Sequence, residues 1–205
     1  AEYYADDMEK QAECRHKVMQ ASGFLMELVN NVLNMNKLES GEMKPENKPF
    51  DLIELLTETA SIVEMQGQEY AIRFQMQMGK HKYRHLIGSP LYLKQVLQNI
   101  GGNAVKYNRA GGAVTFASED VAYSDGRAVI KFTCTDTGRG MSREFLVHAF
   151  EPFSQENTDA RTTFTGTGLG LAITKQMVEL MEGTISLKSE QNVGTTISVT
   201  IPFRI

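Results

Sequence analysis

The stretch from Lys131 to Thr174 constrains this chain most, because two glycine-punctuated turns flank a polar loop there. The first turn is Asp136-Thr137-Gly138-Arg139-Gly140-Met141 and the second is Gly166-Thr167-Gly168-Leu169-Gly170-Leu171. The loop between them opens with Phe150-Glu151-Pro152-Phe153. Ahead of Asp136, residues Val129 to Thr135 are β-branched and alternating, which predicts a strand. From Leu169 to Met181, apolar residues fall at 169, 172, 173, 177, 180 and 181, the spacing of an amphipathic helix. A strand therefore ends in an acid and two glycines, and a glycine-rich turn later opens a helix. Such a turn presents unpaired backbone N–H groups at the positive end of a helix dipole, where phosphate fits. Nucleotide binding is the chemistry to which this stretch points.

A second informative element is the helix predicted over about 90–107, started by Ser89 as cap and Pro90 in its first turn. Leu93, Val96, Leu97, Ile100 and Ala104 fall on one arc, and Gln95, Asn99, Asn103 and Lys106 on the opposite one. An ordinary solvated face would carry Glu and Lys; this one carries two amides and a cation in a row, with Tyr107 at its edge. Gly101 and Gly102 sit mid-helix at a cost of roughly 1 kcal/mol each relative to Ala. Either close packing, a ligand or simple tolerance accounts for the pair.

Around these, residues Asp6 to Leu38 read as one long helix whose Val18, Leu25, Val29, Val32 and Leu33 form a narrow apolar stripe suited to a partner helix. Met43 to Phe50, with two prolines, suits an edge strand or linker. Asp51 caps a further helix through Val63, and Tyr70–Met78 and Tyr83–Ile87 read as strands. Hairpins are predicted around Ser124-Asp125-Gly126 and Asn192-Val193-Gly194. Hairpin-linked strands with a few helices imply an α+β two-layer sandwich rather than a doubly wound sheet.

Composition excludes several classes. A net charge of −4 with no dense Lys/Arg block disfavours nucleic acid or an anionic membrane as the main partner. No apolar run approaches the roughly 20 residues that span a bilayer. The two cysteines, Cys14 and Cys134, are far apart and in no metal-like spacing, which suits a reducing, cytoplasmic setting. The chain begins inside a helical pattern without an initiator Met and reads as part of something longer, so membrane anchoring of a parent protein stays open.

Taken singly, the candidate site residues have ordinary readings as well as functional ones. Asp136 is a turn acid, or an acceptor that selects an exocyclic amine such as adenine's. Asn99 and Asn103 form a solvated face, or supply an oxygen ligand to Mg²⁺ and a phosphate donor. Lys106 meets a phosphate or solvent, as does Arg161; Tyr107 stacks on a base or packs in the core. Phe150 and Phe153 anchor the loop base or simply pack. The second glycine turn is neither a dinucleotide fingerprint nor a P-loop, because its spacing differs and no Lys-Ser/Thr follows.

Four clusters occur together and in this order: Asn99-x-x-x-Asn103, Asp136-x-Gly138-x-Gly140, Phe150-Glu-Pro-Phe153 and Gly166-x-Gly168-x-Gly170. With them the chain resembles the catalytic ATP-binding domain of a sensor histidine kinase, whose N, G1, F and G2 boxes they match. Leu38-Glu39-Ser40-Gly41, Pro49-Phe50-Asp51-Leu52, Glu182-Gly183-Thr184-Ile185 and Gly194-Thr195-Thr196 extend the resemblance over nearly the whole chain.

The resemblance implies a Bergerat-type α/β sandwich over residues 43–205. Residues 1–42 would contribute one long helix of a dimerisation hairpin. It implies Mg²⁺ on Asn103, with Asn99 and Lys106 beside the phosphates. Asp136 would bind the adenine amine, Gly138 and Gly140 would line the base, and Tyr107 would flank it. Residues from about Arg143 to Thr165, with Phe153 and Arg161, would form the ATP lid. Gly166, Gly168 and Gly170 would hold phosphates through backbone N–H groups, and Thr167, Leu169 and Leu171 would belong to the same ATP site. The implied reaction is γ-phosphoryl transfer to a histidine for relay to a response regulator receiver domain, by a homodimer joined through the N-terminal helix. Ser89 departs from the family's usual Asp, keeping a capping role without the charge. None of the four histidines, His16, His81, His85 and His148, carries the phosphoacceptor pattern, and all read as ordinary. Two other readings stay open. One is a chaperone-, gyrase- or mismatch-repair-like ATPase, which would want a Glu near Asn99 where Gln95 and Gln98 stand. The other is a non-catalytic ATP-binding or dimerisation module.

Overall fold

The computed structural model describes residues 8–42, 44–156 and 166–205. Its elements in chain order are α1 (Met8–Glu39), β1 (Lys48–Asp51), α2 (Leu52–Gln68), β2 (Arg73–Met78), β3 (His85–Gly88) and α3 (Pro90–Lys106). There follow β4 (Ala113–Ser124), β5 (Arg127–Asp136), α4 (Arg143–Leu146), α5 (Gly170–Leu180), β6 (Thr184–Glu190) and β7 (Gly194–Arg204).

The strands form one mixed sheet in the order β1-β3-β7-β5-β4-β2. β6 shares with β3 the edge of β7 that β5 does not use. β2 runs parallel to β4, and the other pairs are antiparallel. The 125–126 turn puts both residues at positive φ, Asp125 at 51° and Gly126 at 72°, the twist that suits a two-residue hairpin. β4 extends past Val121 to Ser124 because a bulge between Asp120 and Ala122 lets the pairing with β5 resume.

Period-2 alternation separates the sheet's faces. Ala128, Ile130, Phe132 and Cys134 of β5, and Ile197, Val199, Ile201 and Phe203 of β7, are buried. They share one core with Leu52, Leu56 and Val63 of α2, Leu93, Val96, Leu97 and Ile100 of α3, and Ile173, Met177 and Val178 of α5. Across β5 and β7, Thr133 meets Ser198 and Thr135 meets Thr196 through hydroxyl hydrogen bonds of 3.2 Å each. The result is the expected α+β two-layer sandwich, with helices on one side of a mixed sheet.

Three details differ from or sharpen the sequence reading. Asp51 caps α2 by accepting from Glu54 N at 3.0 Å, as expected. Ser89 does not cap α3: its hydroxyl is buried and has no hydrogen-bond partner among the described residues. Its ψ of 90° falls short of the 158° at Ser142, whose hydroxyl does cap α4 by accepting from Phe145 N. Tyr70 and Ala71 lie in a turn, with Ala71 at φ 54°, so β2 begins only at Arg73.

The mid-helix glycines separate into two cases. A Cβ at Gly101 would lie 2.6 Å from Val63 Cγ2 and 2.9 Å from Phe116 Cζ, so α3 packs there against α2 and β4 through a bare backbone. At Gly102 the nearest atom would be 3.9 Å away, so that glycine is merely tolerated.

The long helix α1 has two apolar faces. The expected stripe is exposed, with Val18 at 65%, Leu25 at 58% and Leu33 at 50% exposure. A second one, Leu28, Met35 and Leu38, packs onto the core of the sandwich. Its spacing of seven and three residues is helical and was hidden among the polar positions of the sequence.

Candidate functional site

An open cleft of about 1060 Å³ of atom-free space lies between α3, the C-terminal end of β5, the loop before α5 and the start of α5. Ile100, Ala104, Cys134 and Ile197 make its apolar floor; Asn99, Asn103, Lys106, Tyr107, Asp136 and Arg139 supply polar groups.

α3 delivers its amides on successive turns. Asn99 Nδ2 donates to Gly170 O at 2.7 Å and to Thr174 Oγ1 at 2.5 Å, tying α3 to the first turn of α5. Asn103, one turn on, lines the cleft and makes no side-chain hydrogen bond to any described residue. Its Oδ1 fits the demand of Mg²⁺ for a hard oxygen ligand, with phosphates and water for the rest of the octahedron. Among the described residues no three His, Cys, Asp or Glu side chains cluster to hold a metal. Lys106 Nζ lies 5.5 Å from the Tyr107 ring centroid. A Cβ at Gly166 would lie 3.0 Å from both Lys106 Nζ and Tyr107 Oη, so the second glycine turn comes right up to both side chains.

Asp136 ends β5 with one oxygen occupied. Its Oδ1 accepts from Gly138 N at 2.8 Å and Thr195 N at 3.3 Å, while Oδ2 has no partner among the described residues. Burial pushes the carboxyl above its ordinary pKa, against the pull of those two N–H groups. Two residues earlier on the same face, burial and the Asp136 charge push the Cys134 thiol strongly up.

The first glycine turn is clamped on both sides. A Cβ at Gly138 would lie 2.5 Å from Tyr107 O, which Arg139 N also bonds at 3.1 Å. Gly140 has φ 63°, and a Cβ there would overlap the Glu190 carbonyl. Asn192 N closes the other side by donating to Arg139 O at 2.6 Å. Gly140 therefore lines the cleft, whereas Gly138 packs on the end of α3 and lies off its wall.

In the second turn Gly166 (φ 136°), Thr167, Gly168 (φ 69°), Gly170 and Leu171 belong to the cleft wall, whereas Leu169 is fully buried beneath it. A Cβ at Gly170 would sit 2.8 Å from Asn99 Oδ1, so Asn99 needs a bare Cα at that point. Phe153 also lies off the cleft wall: its side chain is 64% exposed and its φ is 64°. It is the Phe153 backbone that counts, because a Cβ at Gly168 would lie 2.6 Å from Phe153 C. Core packing, one of the two readings for this residue, does not describe it. The segment expected to form a lid is described up to Glu156, whose Oε1 accepts from Ser142 N at 2.6 Å, and Gln155 Nε2 donates to Gly166 O at 2.9 Å. Arg161 and the rest of the segment 157–165 lie outside the described residues.

Sequence reasoning missed several participants. The Arg139 guanidinium lies 4.5 Å over the Tyr107 ring and lines the cleft. Its place between two glycines gives no local signal of that role. Cys134 and Thr195 could have been found from period-2 spacing, since Cys134 shares the face of Asp136. Asn31 of α1, whose Nδ2 donates to Thr167 Oγ1 at 3.0 Å, left no local signal at all. His81 is spent inside the protein, with Nδ1 2.5 Å from Asp120 Oδ1 and Nε2 2.9 Å from Ser118 Oγ.

The family model for histidine kinase-, DNA gyrase B- and HSP90-like ATPases matches residues 88–205, from the last residue of β3 to the end of the chain. The chain belongs to this ATPase family. Its matched part holds every cleft-lining residue named above. Its curated relatives include histidine kinases. The peroxide stress-activated histidine kinase mak1 of Schizosaccharomyces pombe is 29% identical over 91% of this chain and 11% of its own length. The circadian input-output histidine kinase CikA of Synechococcus elongatus is 31% identical over 95% of this chain and 25% of its own. Among solved structures, full-length ShkA in complex with AMPPNP superposes with a TM-score of 0.76 at 28% identity, covering 94% of this chain and 39% of that one. This chain is thus an ATP-binding domain of the histidine kinase type and spans only a minor part of such relatives. No helix among the described residues is long and apolar enough to cross a membrane.

Proposed function

We propose that residues 43–205 bind Mg-ATP and transfer its γ-phosphoryl group to a histidine, for relay to an aspartate of a response regulator receiver domain. Residues 1–42 would belong to a dimerisation and phosphotransfer hairpin, through which the protein would form a homodimer, and the setting would be cytoplasmic. The observation that carries the nucleotide reading is the half-occupied carboxylate of Asp136, since two backbone N–H groups hold Oδ1 and leave Oδ2 as an acceptor in a cleft. An acceptor-only group there suits the 6-amino group of adenine and opposes the 6-oxo group of guanine. The exposed apolar stripe of α1 supports the dimer.

Within this reading Arg139 and Tyr107 form a stacked pair beside the base, over the apolar floor of Cys134 and Ile197. Asn103 would hold Mg²⁺, which supplies neutralisation of phosphate charge. Lys106 and the N–H groups of the turn from Gly166 to Gly170 would bind the phosphates, at the dipole end of α5. Phosphoryl transfer needs mainly such positioning and charge neutralisation. The acceptor would not be His81, whose imidazole is enclosed with 2% side-chain exposure against Asp120. Calorimetric titration with a non-hydrolysable ATP analogue and Mg²⁺ tests the reading. Saturable binding that prefers adenine to guanine is the expected result, and a folded chain that binds no adenine nucleotide refutes it.

A further inference from the structure

The Thr167 hydroxyl lies in the second glycine turn, 6% exposed and on the cleft wall. Its oxygen accepts twice: from Asn31 Nδ2 of α1 at 3.0 Å and from Leu169 N at 3.3 Å. A hydroxyl has two acceptor lone pairs and one proton. With both lone pairs facing donors, the O–H is left with a single function, to donate. Thr167 stands between two positive-φ glycines at the mouth of α5, where an anion is the partner that chemistry favours.

We propose that Asn31 is a positioning residue for phosphate: by filling a lone pair of Thr167, it aims that hydroxyl proton at the anionic end of a bound nucleotide. The inference rests on the nucleotide reading above and adds to it a residue from outside the matched family segment 88–205. Asn31 sits on the face of α1 that carries Leu28, Met35 and Leu38 onto the sandwich, so the packing of α1 sets where its amide stands. Affinity for phosphate is thereby linked to the docked position of α1. Linkage is reciprocal, so a triphosphate must favour docked α1 by the same factor by which docked α1 favours the triphosphate.

The test is a double-mutant cycle on the whole chain, read by NMR titration with AMPPNP–Mg²⁺ and, in parallel, with adenosine. Asn31→Leu removes the donor and keeps an apolar residue against the sandwich; Thr167→Val removes the hydroxyl; Thr167→Ser keeps it. Charge-assisted hydrogen bonds set the scale at about tenfold in Kd. Asn31→Leu and Thr167→Val should each weaken AMPPNP by up to about that factor, and Thr167→Ser should restore affinity. In the Thr167→Val background Asn31→Leu should have no further effect, because its target is gone. Adenosine affinity should stay at the wild-type value in every variant, which also reports that each one is folded. AMPPNP, but not adenosine, should slow amide exchange in α1 around Asn31. Equal losses for adenosine and AMPPNP, or additive losses in the cycle, would overturn the proposal in favour of a purely structural contact. AMPPNP affinity unchanged in Asn31→Leu would overturn it while leaving the nucleotide reading intact. Absence of all adenine-nucleotide binding in the wild type would remove both.

Discussion

Asp136→Asn replaces one atom at the best-defined point of the site, and the structure says what that atom does. Asn can keep its Oδ1 under Gly138 N and Thr195 N, because an amide oxygen accepts as a carboxylate oxygen does. The NH₂ group must then take the place of Oδ2, so a donor replaces an acceptor toward the base. The 6-amino group of adenine loses a charge-assisted hydrogen bond worth roughly 1.5–3 kcal/mol. That corresponds to about 10- to 150-fold in Kd. A 6-oxo base meets the opposite change, so inosine nucleotide should gain on adenine nucleotide in the mutant. Calorimetry with adenine and hypoxanthine triphosphate analogues on both proteins measures the ratio. The proton acts in the same way as the amide. Burial raises the Asp136 pKa, so wild-type adenine affinity should fall on acidification, beginning above the ordinary carboxylate range, while the mutant stays flat. Stability moves oppositely. A carboxyl whose folded-state pKa is raised contributes stability below its unfolded pKa and loses it as pH rises through the folded value. Asp136→Asn should therefore be the more stable protein at neutral pH, with the gap closing in acid. An Asp136→Asn variant that binds adenine nucleotide within about threefold of wild type, a loss of under 1 kcal/mol, would refute this account of the site.

Three further outcomes follow from particular contacts. Gly140→Ala should cost about 3 kcal/mol or more in denaturant unfolding, since it combines a φ of 63° with overlap on the Glu190 carbonyl; a cost under about 1 kcal/mol would contradict the clamp. Gly101→Ala and Gly102→Ala should differ in sign: the first loses about 1–3 kcal/mol against Val63 and Phe116, the second gains about 0.5–1 kcal/mol of helix propensity, both read by the same unfolding curves. Under native conditions iodoacetamide should alkylate half-buried Cys14 and spare Cys134, whose thiol is buried and held protonated; peptide mass spectrometry showing Cys134 modified as fast as Cys14 would contradict that.

Much of this protein was legible in the sequence because the relevant physics is local. Helical period grouped Asn99, Asn103 and Lys106 on one arc of α3, and the structure has that arc adjoin the apolar one, so that all three line the cleft together with Ile100 and Ala104. Period-2 alternation picked out the buried face of β5, and turn chemistry placed the hairpin at Asp125 and Gly126. The order of the two glycine turns and the amide pair pointed to a nucleotide site, and hairpin-linked strands with a few helices to an α+β sandwich.

Other features depend on segments far apart in the chain, and no local pattern encodes them. Ser89 has the composition of a cap, but with the backbone path it takes into α3 its hydroxyl is buried and makes no bond to the helix end. Gly140 looks like a residue for lining a base, but its bare Cα is demanded chiefly by the Glu190 carbonyl, which β6 brings up from 50 residues on. Arg139 becomes part of the cleft only because the end of α3 sets Tyr107 beneath it. Asn31 touches Thr167 across 136 residues, through a face of α1 whose Leu28, Met35 and Leu38 look sparse until the sandwich is there to cover them. Periodicity, caps and turns are written residue by residue, so the sequence alone determined the elements, the sandwich and the identity of the cleft. Which atoms of those elements meet is set by packing, where the shape of one segment selects the position of another, and only the tertiary structure could decide it.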